Sequence, residues 1–230
     1  MITLKETINP DGLDWILKNL ESFVVKEERK KFKRYAERIK DGYSMVTYKY
    51  SHQKGRLYAE GALSIQGFSK SIRNILAKGL YHDIDMCNAH PTLLYQLCQK
   101  KGWETPELRH YIENREDVLK TTSKITMLSI IYGNVKYLNT SYLQRFADEM
   151  RKIAILVHND GKDKFSKLSI VLQNIENEIL LKMVEFYGKR VGVLCFDGLL
   201  LYKTGEPLRL KECEAYITDW KIKLVEKEIS

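Results

Sequence analysis

Alternation of apolar and polar side chains marks the strands of this chain, and apolar positions three and four apart mark its helices. Tyr43 to Tyr50 alternates, and so does Leu80 to Met86, where Leu80, Ile84 and Met86 share one face and Asp83 and Asp85 the other. Val191 to Tyr202 reads as two apolar strands around Asp197-Gly198, a dipeptide favoured in hairpin turns. Helical spacing of Leu13, Ile16, Leu17 and Leu20, then of Phe32, Tyr35 and Ile39, predicts two helices within residues 11 to 40. Pro91 suits the first turn of a helical stretch that runs to about Asn139, with a turn near Lys101 to Pro106. A further helix covers Tyr142 to Val157, followed by a polar Asn159-Asp160-Gly161 loop. Leu168, Leu172, Ile175, Ile179 and Met183 then keep helical spacing up to Gly188, behind a Ser166 cap. Residues 207 to 230 read as a last, charged amphipathic helix. The sum is a helix-rich α+β fold.

Composition adds a partner class. The 230 residues are 44% hydrophobic with four prolines, which describes a packed globule. A net charge of +8 makes nucleic acid the first partner to consider. The charge is concentrated: Lys26 to Lys40 holds eight basic residues, among them Lys30, Lys31, Lys33 and Arg34, against three glutamates. Cys87, Cys98, Cys195 and Cys213 show no CxxC spacing and sit in apolar runs, as reduced core residues do. No apolar run reaches the length of a membrane span and Met1 to Asn9 has no signal-peptide core, so a soluble intracellular protein without membrane partners is expected, in the host cytoplasm if the source is a virus or mobile element.

The chemistry concentrates in three places. Asp83 and Asp85 arrive at the end of a strand, just before the Asn-Ala-His-Pro turn, where a carboxylate can hold a metal ion on a rigid support; either is a candidate ligand. Asp197 brings a third carboxylate to a turn between two strands too apolar for the surface. Lys120, Lys124, Leu128 and Tyr132 recur every four residues, which predicts one helix face able to hold a triphosphate, ended by Gly133. Arg56, Gln66 and Arg73 lie in the glycine-rich stretch before Asp83 and are candidates for gripping phosphates or base edges.

In order, these motifs resemble the polymerase domain of family A DNA polymerases and of the related single-subunit phage-type RNA polymerases. Gly55-Arg56-Leu57 with Gln66 resembles the stretch before the palm, and Ile72-Arg73 the region ahead of the first catalytic strand. Asp85 with His90 resembles the first catalytic motif, and Lys120, Lys124, Tyr132 and Gly133 the fingers-helix pattern Arg-x3-Lys-x7-Tyr-Gly. Asp197 takes the place of the Asp in the third motif, although Phe196 and Gly198 replace its usual neighbours, and Gln173 resembles the glutamine of the preceding helix. The resemblance implies a palm with a small antiparallel sheet in residues 55 to 100 and 166 to 230, helical fingers in 101 to 165, and a short helical thumb-like region in 1 to 54.

It also implies an activity: a nucleotidyltransferase, a compact template-directed DNA polymerase without proofreading. Asp85 and Asp197, with Asp83 nearby, would hold two Mg2+ or Mn2+ ions. Lys124 would be catalytic, and Lys120, His90, Tyr132 and Gly133 would bind the nucleoside triphosphate. Arg56, Gln66, Arg73, Gln173 and the basic helix would hold primer and template, and a processivity or replication partner is left open. RNA synthesis, primase-like or template-independent extension on the same scaffold, or a non-catalytic nucleic-acid-binding subunit, are the alternatives.

Overall fold

In a computed structural model the described residues are 1–50, 55–134, 138–157 and 164–229; the Asn159-Asp160-Gly161 loop lies outside them. The chain is α+β and rich in helix, with two small antiparallel sheets. It divides into two compact units: residues 1–87 with 177–218 and 223–230, and residues 88–176 with 219–222.

The first unit contains both sheets. Strands β1 (Ile2–Thr7), β2 (Tyr43–Tyr50) and β3 (Leu57–Ala59) form one, in that order. Strands β4 (Tyr81–Met86), β5 (Val191–Leu194), β6 (Gly198–Tyr202) and β7 (Leu224–Lys227) form the other, in the order β5-β6-β4-β7. Helices α1 (Pro10–Lys18), α2 (Leu20–Phe23), α3 (Lys26–Ala36) and α4 (Lys70–Ala77) bury Ile16, Leu20, Phe32, Tyr35, Ile72 and Leu76 in a core shared with Tyr81, Val193 and Leu200. The start of α1 follows from its sequence: Asn9 accepts the Gly12 N–H at 2.9 Å and Pro10 needs no partner there.

Two expectations are corrected. The N-terminal region is not purely helical, because β1 pairs along its whole length with β2. Its pattern is disguised by Glu6, a charged residue that is fully buried. Glu6 accepts hydrogen bonds from Tyr35 Oη (2.7 Å), Ser64 Oγ (2.5 Å) and the Ile65 N–H (3.1 Å), which offset much of the cost of burying it. Burial still pushes its carboxyl above the ordinary range. At the other end, among the described residues of the expected helix, Leu210–Tyr216 is helical (α11) and Leu224–Lys227 is strand β7, bonded to β4.

The second unit is helical: α5 (Ala89–Lys101), α6 (Pro106–Glu113), α7 (Arg115–Thr121), α8 (Lys124–Ile131), α9 (Ser141–Val157) and the first half of α10 (Lys164–Tyr187). Tyr111 of α6 and Phe146 of α9 are buried with ring centroids 6.0 Å apart, and Glu149 of α9 accepts the first free N–H groups of α6, from Glu107 and Leu108. Lys100 lies 3.7 Å above the Trp220 ring, which fixes the residue 219–222 segment to α5.

Candidate functional site

The sequence places Asp83 and Asp85 on one face of β4, and the register of β4 with β6 sets Asp85 directly opposite Gly198. The hairpin between β5 and β6 is not the two-residue turn expected. Cys195, Phe196 and Asp197 connect the strands, closed by the Cys195 N–H donating to Gly198 O at 2.8 Å, and Phe196 takes a left-handed φ of 60°. The Met86 N–H then donates to Asp197 O at 2.8 Å, which carries Asp197 to the end of β4. Gly198 is required there: a Cβ would sit 2.3 Å from Ile84 O and 3.0 Å from Asp85 Oδ1.

Three carboxylates thus share one end of the sheet. Burial, and then the charge of Asp197, push the Asp85 carboxyl up to about 6, against an opposing ion pair with Lys227. Burial also raises Asp83, with Lys227 and Arg73 pulling the other way and Asp197 adding to the rise. Lys227 stands opposite Asp83 in the β4–β7 register and reaches diagonally to Asp85. Lys227 was not among the residues expected here. Its trace in the sequence is the alternation of Ile222 and Leu224 with polar neighbours, hidden by an overall charge pattern that also suits a helix. Arg73, from α4, lines a small crevice with Asp83, Cys195 and Leu200, so this arginine faces the carboxylates.

Arg56 lies over the Phe196 ring, 5.0 Å from its centroid. Gln66 is corrected: it is buried, accepts the Ala59 N–H and donates to Leu57 O, each at 3.0 Å, so both ends of its amide are engaged in tying down β3. Lys31 also turns inward, donating to Gly67 O and lying 4.6 Å from the Phe68 centroid, whereas Lys30, Lys33 and Arg34 are exposed along α3.

The remaining expected residues belong to the second unit. Lys120 and Lys124 do not share one continuous helix face: α7 ends at Thr121, Thr122 is extended, and Ser123 starts α8 by accepting the Thr126 N–H at 3.0 Å. The reason is local, since a serine offered a free helix N-terminus caps it more readily than it continues a helix. Lys120 is exposed and paired with Asp117 at 2.7 Å, and Lys124 is exposed in the first turn of α8. His90 is corrected too. It is buried with its Nε2 on the carboxylate of Glu176, itself buried, and the Tyr132 ring lies edge-on at 5.7 Å. Gly133 has a φ of 72° and ends α8 as expected, and a Cβ there would lie 2.3 Å from the Phe165 ring. The Gln173 amide donates to Ser169 Oγ at 3.0 Å, one turn back on α10.

Among the described residues no group of three or more His, Cys, Asp or Glu side chains is arranged to hold a metal by itself, and no helix is long and apolar enough to cross a membrane. The chain matches no described protein family and no solved structure. It is similar to a protein named "Putative helicase V13" from Sputnik virophage, 31% identical over an alignment of 274 positions that takes in 97% of this chain and 35% of the relative. The chain therefore spans about a third of that relative's length. The similarity corrects the DNA polymerase expected from the motifs: the protein aligned with nearly all of this chain carries the name of a helicase. The broken lysine helix and the buried His90 remove two of the structural supports on which the polymerase reading depended.

Proposed function

We propose that this chain is the nucleic-acid-engaging portion of a helicase-type viral replication protein, and that Asp85 and Asp197 hold a divalent cation against the phosphates of its ligand. The observation that carries the proposal is the carboxylate pair at the end of the four-stranded sheet, where Asp85 has a raised proton affinity and one diagonal lysine for neutralisation. Such a donor set fits Mg2+, which typically binds to one or two carboxylates and completes its shell with water and substrate phosphate. Asp83, on the same face of β4, lies within electrostatic reach of both carboxylates. When bound, the ion would neutralise the pair and fix a phosphate oxygen beside it.

Arg73 faces the same carboxylates, and the exposed Lys30, Lys33 and Arg34 of α3 offer cations to a backbone. The name of the relative supports nucleic acid as the partner. A motor driven by nucleotide hydrolysis commonly cradles phosphate in a GxxxxGK[ST] loop, a pattern that the 230 residues do not contain. The proposal accordingly assigns strand engagement to this chain and assigns movement to none of its residues.

Fluorescence anisotropy with labelled single-stranded and duplex DNA, in Mg2+ and in chelator, tests this. Binding should weaken steeply with salt and should tighten in Mg2+ by on the order of ten-fold, a gain lost in Asp85→Asn and in Asp197→Asn. No binding at low salt, or the same Mg2+ response in both variants, would overturn the proposal.

A further inference from the structure

Phe196 is an unusual residue to find at its position. Both flanking strands are buried, yet Phe196 keeps part of its surface, and its backbone takes the left-handed φ of 60° that bulky side chains rarely adopt. Strain of this kind persists where the surrounding structure holds it in place, and functional sites are where it clusters. The ring does not stand alone. Tyr58, on β3 and 40% exposed, meets it at a centroid distance of 5.3 Å and an angle of 60°. The Arg56 guanidinium lies 5.0 Å from the Phe196 centroid. One exposed aromatic ring, a second that is partly exposed and a planar cation therefore sit together beside Asp197.

We infer that Tyr58, Phe196 and Arg56 form a stacking site for an unpaired nucleobase, with Asp197 beside it facing the phosphate side of the same nucleotide. The inference rests on the nucleic-acid reading above and names the part of the ligand that this corner takes. Aromatic side chains stack on any base through their π-faces, and an arginine plane adds both stacking and charge for the adjoining phosphate. A base inside a duplex already has neighbours on both faces. The ligand chemistry is thus that of a single strand or a strand end. The alternative, an aromatic pair that only packs the two sheets against each other, would leave the rings covered, and Tyr58 is open to solvent.

The experiment compares two oligonucleotides of equal length: a short oligodeoxyadenylate, and a strand made entirely of abasic tetrahydrofuran spacers that keeps the phosphates. The parent protein should bind the base-bearing strand roughly ten-fold more tightly. That ratio should fall towards one in Phe196→Leu and decrease in Tyr58→Thr, with binding of the abasic strand unchanged in both. Threonine suits an exposed strand position, so Tyr58→Thr reads the site even where Phe196→Leu disturbs the turn. Equal binding of the two strands by the parent, or a ratio unchanged in both variants, overturns the stacking site while the nucleic-acid reading stands. Failure of the parent to bind either strand overturns both.

Discussion

The carboxylate face of the four-stranded sheet and the lysine-bearing helices α7 and α8 are both legible in the sequence as regular spacings, and the structure treats them differently. On β4, the two-residue repeat that puts Asp83 and Asp85 on one face is enforced by hydrogen-bonded neighbours on both sides, β6 and β7. Along residues 117 to 132 the four-residue repeat has no such enforcement, and one serine with a free N-terminus to cap divides it. Periodicity in a paired central strand survives because a slip would turn every side chain to the wrong face. A helical repeat on an exposed surface loses little by being interrupted.

The largest expected effect tests how rigid the first region is. Gly198→Ala would drive a Cβ against the Ile84 carbonyl, a backbone atom that cannot step aside, and should cost about 3 kcal/mol or more in urea unfolding. In the second unit, Gly133→Ala meets the ring of Phe165. That side chain can turn about χ1, which a backbone carbonyl cannot do, so about 1 to 2 kcal/mol is expected there, including the positive φ. A larger loss at Gly133 than at Gly198 would reverse the comparison.

The next effect is electrostatic. The Asp85 carboxyl is raised from 3.8 to about 6 in the folded protein, so between those values the native state binds the proton more tightly than the unfolded chain does. Its contribution is complete below the unfolded value and is lost as pH rises through the folded one. The metal-free protein should therefore lose on the order of 2 kcal/mol between about pH 4 and pH 6, after allowance for screening. Asp85→Asn should flatten this slope in denaturant titrations across that range. A slope unchanged in the variant would show that another buried group is responsible for it.

Ser123→Ala should cost about 1 kcal/mol, measured by thermal unfolding, because the Thr126 N–H loses its acceptor. Smaller still, Lys120→Ala should change stability by less than about 0.5 kcal/mol, since its ion pair with Asp117 is exposed. A loss above 1 kcal/mol would mean that α7 depends on that pair more than its exposure suggests.

Much of the fold could be read in advance for the same physical reason. Tyr43 to Tyr50 is strand β2 over the whole expected range, and the hydrophobic stripe from Leu168 to Met183 is on α10. Three places misled. A buried glutamate broke the apolar alternation of β1, and its donors come from Tyr35, Ser64 and Ile65, far along the chain. Strand β7 is short and charged, so neither spacing nor composition separates it from helix. Gln66 and His90 have side chains that suit ligands, and only burial shows that their partners are internal. The strands that carry Asp85 and Asp197 each left a signal, but only the family resemblance brought the two aspartates together, and Lys227 depended on a strand pairing that no local pattern announces.

The ion pair between Asp85 and Lys227 joins residues about 140 positions apart, and bringing such distant segments together costs roughly 4 kcal/mol in chain entropy. The β5–β6 hairpin closes over three residues, so its two strands meet at little cost in loop entropy. In a chain made from its N-terminus, both aspartates leave the ribosome before the lysine does. The counter-charge is thus the last piece of the site to arrive, and until it does a nascent chain carries the repulsion between Asp85 and Asp197 with no help from β7. Conditions that screen charge during synthesis should accordingly matter more for the yield of folded protein than for the stability of the finished one.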